Sequence, residues 1–65
     1  MNKLEEIRTK KKMNKSEMAR FLNMPRSTYN QYETGERKLP VEVAFQIAPK
    51  LGIKWYRLYE RVKNH

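Results

Sequence analysis

Two short amphipathic stretches separated by only three residues, Asn23-Met24-Pro25, constrain this chain more than any other feature. The first opens on Asn14-Lys15-Ser16-Glu17, where an Asn at the N-cap and a Glu three residues on can satisfy each other's orphan amides. Met13 and Met18 stand where a hydrophobic staple would, and Met18, Ala19 and Leu22 make a buried face with Phe21 at its edge. Asn23 suits a left-handed stop, because Asn tolerates positive φ better than most non-glycine residues. Pro25 then opens a new helix where its missing amide costs nothing, and that helix runs from about Arg26 to Glu33, before Gly35. Each helix is about two turns long, and the small Ala19 lets them cross closely.

The rest of the chain carries the same helical spacing, with no alternating strand pattern and no repeats. Asn2-Lys3-Leu4-Glu5 repeats the capping signature and starts a first helix with Leu4 and Ile7 on its apolar stripe. Lys10, Lys11 and Lys12 fall at that helix's negative end, which reads as a solvated terminus in preference to a direct polyanion contact. After the polar turn Thr34-Gly35-Glu36-Arg37-Lys38, Pro40 opens a fourth helix with Val41, Ala44, Ile47, Ala48 and Leu51 as its stripe and Gly52 as its close. Pro49, late in this helix, should kink it or tighten its last turn. Lys54 to Lys63 is predicted as a fifth helix with Trp55, Leu58, Tyr59 and Val62 on one face. The expected architecture is all-α, a compact five-helix single domain over residues 1–65. A chain of 65 residues buries only about 60% of its unfolded surface, so its core must be dense in large apolar side chains.

Composition excludes several kinds of chemistry. There is no cysteine and a single His at the last position, which removes disulfides, thiolate metal sites, a His-paired metal site and a Ser–His relay. Glu17 and Glu33 are more than a helix apart and no nucleophile has a base beside it, so neither enzymatic activity, cofactor nor metal is expected. No segment reads as a targeting peptide or a membrane span, so a cytoplasmic protein without a membrane partner is expected. Fifteen Lys and Arg against seven Asp and Glu give a net charge of +8 and a pI near 10.1. A domain this basic attracts polyanions, of which nucleic acid is the leading candidate.

The two helices around Asn23-Met24-Pro25 have the layout of a helix-turn-helix, whose second member lies in the major groove. On that second helix Tyr29 and Tyr32 point one way. Arg26, Ser27, Asn30 and Gln31 fall within about 140° of arc on the other side. An ordinary solvated helix face is also polar, but it carries Glu/Lys pairs, whereas this one carries amides, a hydroxyl and an arginine. Arg pairs bidentately with guanine O6/N7, and Asn or Gln with adenine N6/N7. Arg26, Ser27, Asn30 and Gln31 are therefore the candidate base contacts, with phosphate an alternative for Asn30.

These residues resemble the lambda-repressor-like helix-turn-helix family of the Cro/C1 (XRE) type. The resemblance rests on Leu4-x-x-Ile7-Arg8 with Met13-Asn14, on Ser16-Glu17-Met18-Ala19-x-x-Leu22-Asn23-Met24, and on Arg26-Ser27-Thr28-Tyr29-x-x-Tyr32-Glu33-x-Gly35; Ile47-Ala48-x-x-Leu51-Gly52-Ile53 also matches. It implies an ion pair between Arg8 and Glu33 that clips the first helix to the end of the recognition helix. It also implies phosphate contacts from Asn14, Lys15 and Thr28, and from Thr34, Arg37 and Lys38 beyond the recognition helix. Five positions depart from the family pattern: Lys12 and Asn23 stand where glycine is usual, Pro25 where Ser or Thr caps, Tyr29 where a β-branched residue packs, and Pro49 interrupts the fourth helix.

Trp55, Tyr56 and Tyr59 supply more apolar surface than a short terminal helix needs. Core packing is one use and a symmetric dimer seam another; the family habit of binding two-fold half-sites as dimers supports the second. The expectation is a small nucleoid-associated regulator that binds a palindromic double-stranded DNA operator as a homodimer and represses by occupying it, without a small-molecule ligand. The alternative is an antitoxin or anti-repressor module that binds a partner protein as well as DNA.

Overall fold

The computed structural model of the chain describes residues 2–60. Its elements are α1 (Lys3–Lys10), α2 (Lys15–Phe21), α3 (Arg26–Thr34), α4 (Val41–Leu51) and a closing 3-10 helix (Trp55–Tyr59). Helices α1 and α2 begin where the polar caps stand. At α2 the box is complete: Asn14 Oδ1 accepts from the Glu17 amide and Glu17 Oε1 from the Asn14 amide, both at 2.8 Å. At α1 only the first half forms, with the Glu5 amide donating to Asn2 Oδ1 at 3.0 Å. Pro25 and Pro40 stand at the N-caps of α3 and α4 in extended conformation and offer no side-chain cap.

Three of the four α-helices end in the same way. The chain turns left-handed at Lys12 (φ 59), Asn23 (φ 60) and Gly52 (φ 69). The next residue's amide then reaches back to the fifth carbonyl before it: Met13 to Arg8, Met24 to Ala19, Ile53 to Ala48. This closure satisfies orphan carbonyls and brings an apolar residue back over the helix. Met13, Met24 and Ile53 all pack against the core as a result. Pro49 does not break α4: the last turn tightens instead, with the Gly52 amide donating to the Pro49 carbonyl at 3.2 Å.

The core gathers Leu4 from α1, Met18, Ala19 and Leu22 from α2, Tyr29 and Tyr32 from α3, Ala44, Ile47, Ala48 and Leu51 from α4, and Leu58. Val41, expected on the α4 stripe, is 48% exposed: it is the first residue of the helix, where the stripe has run past the core. The fifth α-helix expected over Lys54–Lys63 is a correction. Among the described residues this segment is the 3-10 helix Trp55–Tyr59, held by Arg57-to-Lys54 and Glu60-to-Arg57 bonds, and the chain is extended at Glu60. Residues 61–63, Val62 among them, lie outside the described residues. Side chains three apart eclipse in a 3-10 helix, so Trp55 and Leu58 both turn inward. Aromatic residues are poor helix formers, and Lys54 supplies no cap to start an α-helix here.

Candidate nucleic-acid interface

Polar ties from Arg8 and Asn2 fix the angle at which α3 is presented. Arg8 on α1 grips Glu33 near the end of α3 with both prongs of its guanidinium, Nε to Oε2 at 2.9 Å and Nη2 to Oε1 at 3.1 Å. Its remaining nitrogen, Nη1, donates to the Met13 carbonyl at 3.0 Å, tying α1 to the start of the α2 cap. The Tyr29 hydroxyl, fully buried one turn earlier, donates to Glu33 Oε2. A carboxylate this enclosed needs every one of those partners. Burial alone would raise the Glu33 pKa, but the Arg8 and Tyr29 hydrogen bonds outweigh it and hold the carboxyl below its ordinary range. Burial, followed by the carboxylate beside it, pushes the Tyr29 hydroxyl upward, so it stays protonated as a donor.

Asn2 adds the second tie. While its Oδ1 caps α1, its Nδ2 donates to the carbonyls of Tyr32 at 3.0 Å and Glu33 at 2.6 Å. The last-turn carbonyls of α3 are thus satisfied from α1. In the sequence Asn2 is legible only as a cap, since nothing local points 30 residues ahead. Among the described residues no buried side-chain nitrogen or oxygen lacks a hydrogen-bond partner.

With Tyr29, Tyr32 and Glu33 turned inward, α3 presents Arg26 and Ser27 exposed and Asn30 and Gln31 half-buried. Lys15 Nζ crosses from α2 to donate to Asn30 Oδ1 at 2.9 Å. Gln31 Nε2 lies 3.4 Å from Glu36 Oε2, so a carboxylate borders this face. Asn14 spends its Oδ1 on the α2 cap. Thr34 donates its hydroxyl to the Gln31 carbonyl at 3.3 Å, closing the end of α3, and Arg37 and Lys38 follow in exposed positions. Thr28 stands apart from this set. It is half-buried on the other flank of α3, in a groove of about 430 Å³ lined also by Asn23, Tyr32, Gln46 and Lys50.

The structure shows which charges are paired, as composition could not. Among the described residues, carboxylates pair with cations on α1 and the 3-10 helix: Glu6 with Lys3, Glu60 with Arg57 and Lys3, Glu5 and Glu33 with Arg8. Lys15, Arg20, Arg26, Arg37 and Lys38 form no ion pair among them. These five surround α3, while Lys10, Lys11, Lys12, Lys50 and Lys54 also form no ion pair and stand elsewhere among the described residues. Lys11, from the run after α1, lies over the Phe21 ring at 5.1 Å.

A second surface feature is aromatic. Trp55 packs on Phe45 of α4 with ring centroids 4.9 Å apart and meets Tyr56 and Tyr59 edge-on at 5.8 and 6.2 Å. Trp55 is half-buried, whereas Phe45, Tyr56 and Tyr59 are exposed and Val41 lies on the same helix as Phe45. The Tyr59 hydroxyl donates to the Leu39 carbonyl at 2.8 Å, which ties this cluster to the loop bearing Arg37 and Lys38. Phe45 gave no signal in the sequence because it lies beside the α4 stripe and not on it.

Among the described residues no group of three His, Cys, Asp or Glu side chains could hold a metal ion, and no helix is long and apolar enough to cross a membrane. A family model described as helix-turn-helix matches residues 4–58. No match was found among curated proteins or among solved structures.

Proposed function

The chain belongs to the lambda-repressor-like helix-turn-helix family of the Cro/C1 (XRE) type and is a DNA-binding transcription-regulator domain; from this premise we propose that it recognises a specific double-stranded operator and represses by occupying it. One observation carries the reading: α3 offers Arg26, Ser27, Asn30 and Gln31 on one face, flanked by cations that form no ion pair among the described residues. With α3 in the major groove, Arg26 donates to guanine O6/N7, Gln31 pairs with adenine N6/N7, and Ser27 reaches either. Asn14 and Lys15 at the start of α2, Thr28, and Thr34, Arg37 and Lys38 hold the phosphates and set the register.

The exposed Tyr56, Tyr59 and Phe45 around Trp55, which form an aromatic surface adjoining the phosphate loop, support a palindromic operator read by a homodimer. Two copies joined there would address half-sites about 34–36 Å apart. Selection of bound sites from random duplexes tests the reading. Gln31→Ala should cost about 1–3 kcal/mol and relax preference at one base step, whereas Lys38→Ala should weaken all sequences alike and lower the salt slope by about 1. Uniform loss in both variants would remove base reading from Gln31.

A further inference from the structure

Lys15 and Asn30 stand on different helices, and each has been given a separate task, phosphate for one and a base for the other. The structure joins them. Lys15 Nζ donates to Asn30 Oδ1 at 2.9 Å across the crossing of α2 and α3, with both residues half-buried. The orientation of the Asn30 amide is settled by chemistry: rotated the other way, its NδH2 would face an ammonium, donor against donor. The amide therefore turns NδH2 toward the solvent side of α3.

A lone asparagine on a recognition helix suits adenine, accepting from N6 through its oxygen and donating to N7 through its nitrogen. Here the oxygen has one lone pair spent on Lys15 and a positive charge beside the other. An exocyclic base amine, adenine N6 or cytosine N4, would bring its own N–H groups toward that charge. Lys15 keeps two further N–H donors, so the pair offers donors only. The major-groove edge that matches is the one with two adjacent acceptors and no donor, the N7 and O6 of guanine. Phosphate oxygens share that chemistry. Asn30, however, lies at about 40° on the helical wheel, between Arg26 at 0° and Gln31 at about 140°, in the middle of the reading face where base edges are met.

We propose that Lys15 is a specificity-determining residue: by holding the Asn30 oxygen it makes the pair a donor-only reader that selects guanine where asparagine alone would take adenine. This rests on the DNA-binding reading above. The test is selection from random duplexes with the full chain and with Lys15→Met, Lys15→Arg, Asn30→Ala and Asn30→Asp, each checked for its thermal melt. In the wild type one half-site position carries guanine. Asn30→Ala flattens that position alone, and Asn30→Asp, which keeps the acceptor for Lys15 but loses the outward donors, disfavours guanine there. Lys15→Met shifts the same position from guanine toward adenine by about tenfold or more in relative binding, while Lys15→Arg retains guanine. Three results would overturn the proposal: adenine at the Asn30-dependent position in the wild type, a Lys15→Met selection identical to wild type at every position, or equal weakening of all sequences by Asn30→Ala, which would make Asn30 a phosphate contact. A wild-type chain that enriches no sequence fails at an earlier step and overturns the DNA reading itself.

Discussion

Lys12 sits at φ 59 in a region that an L side chain enters at a cost of roughly 1–2 kcal/mol. It does so because the α1 closure, with the Met13 amide on the Arg8 carbonyl, needs a left-handed residue there. Lys12→Gly should therefore raise stability by about 0.5–1 kcal/mol, the relief of strain being partly offset by a more flexible unfolded chain. Asn23→Gly should gain less, since Asn tolerates that region. Gly35, at φ 85 with no atom within 4 Å of where a Cβ would stand, gives the converse case. Gly35→Ala should lower stability by about 1 kcal/mol through backbone conformation alone, without a clash. Denaturant midpoints of the three variants would check the order. At this scale the sequence was uneven as a guide. Asn23 announced its conformation through its side chain, whereas a lysine carries no such mark, and the partner of the Tyr29 hydroxyl became apparent only once Glu33 was seen to be buried.

Between elements, the tie of α1 to α3 is what orients the reading face. Its ionic part depends on Glu33 being charged, and the Glu33 pKa lies below the ordinary 4.5. The folded state thus binds that proton less readily than the unfolded chain does. The stabilisation is complete above the ordinary carboxylate range and is lost as pH falls through the folded value. Glu33→Gln should lower stability at neutral pH by about 1.5–3 kcal/mol, the scale of hydrogen bonds to a charged group. It should also flatten the fall in melting temperature between about pH 5 and pH 2. An unchanged acid limb in melting curves would remove Glu33 as its source. The four α-helices were legible from caps, stops and apolar spacing, because those signals are local. The closing 3-10 helix was not, since a stripe of Trp55, Leu58 and Tyr59 fits either helical pitch until the core dictates which of them turns inward.

For the molecule as a whole, four of the seven carboxylates pair with cations of α1 and the 3-10 helix, and Lys15, Arg20, Arg26, Arg37 and Lys38 around α3 are left without an ion pair among the described residues. Net charge was countable from the sequence, but which cations are paired depends on tertiary contacts that residue order does not display. The aromatic surface around Trp55 makes a prediction at the same scale. Tyr56→Glu should hold the chain monomeric in sedimentation and weaken binding to a two-half-site operator far more than to a single half-site, by like-charge repulsion across a two-fold seam. Equal effects on both duplexes would place Tyr56 outside that seam. The chain has one tryptophan, and it is the half-buried ring at the centre of this cluster. Its indole emission is consequently an internal gauge of association: a blue shift with rising protein concentration would report the meeting of two copies without any added label.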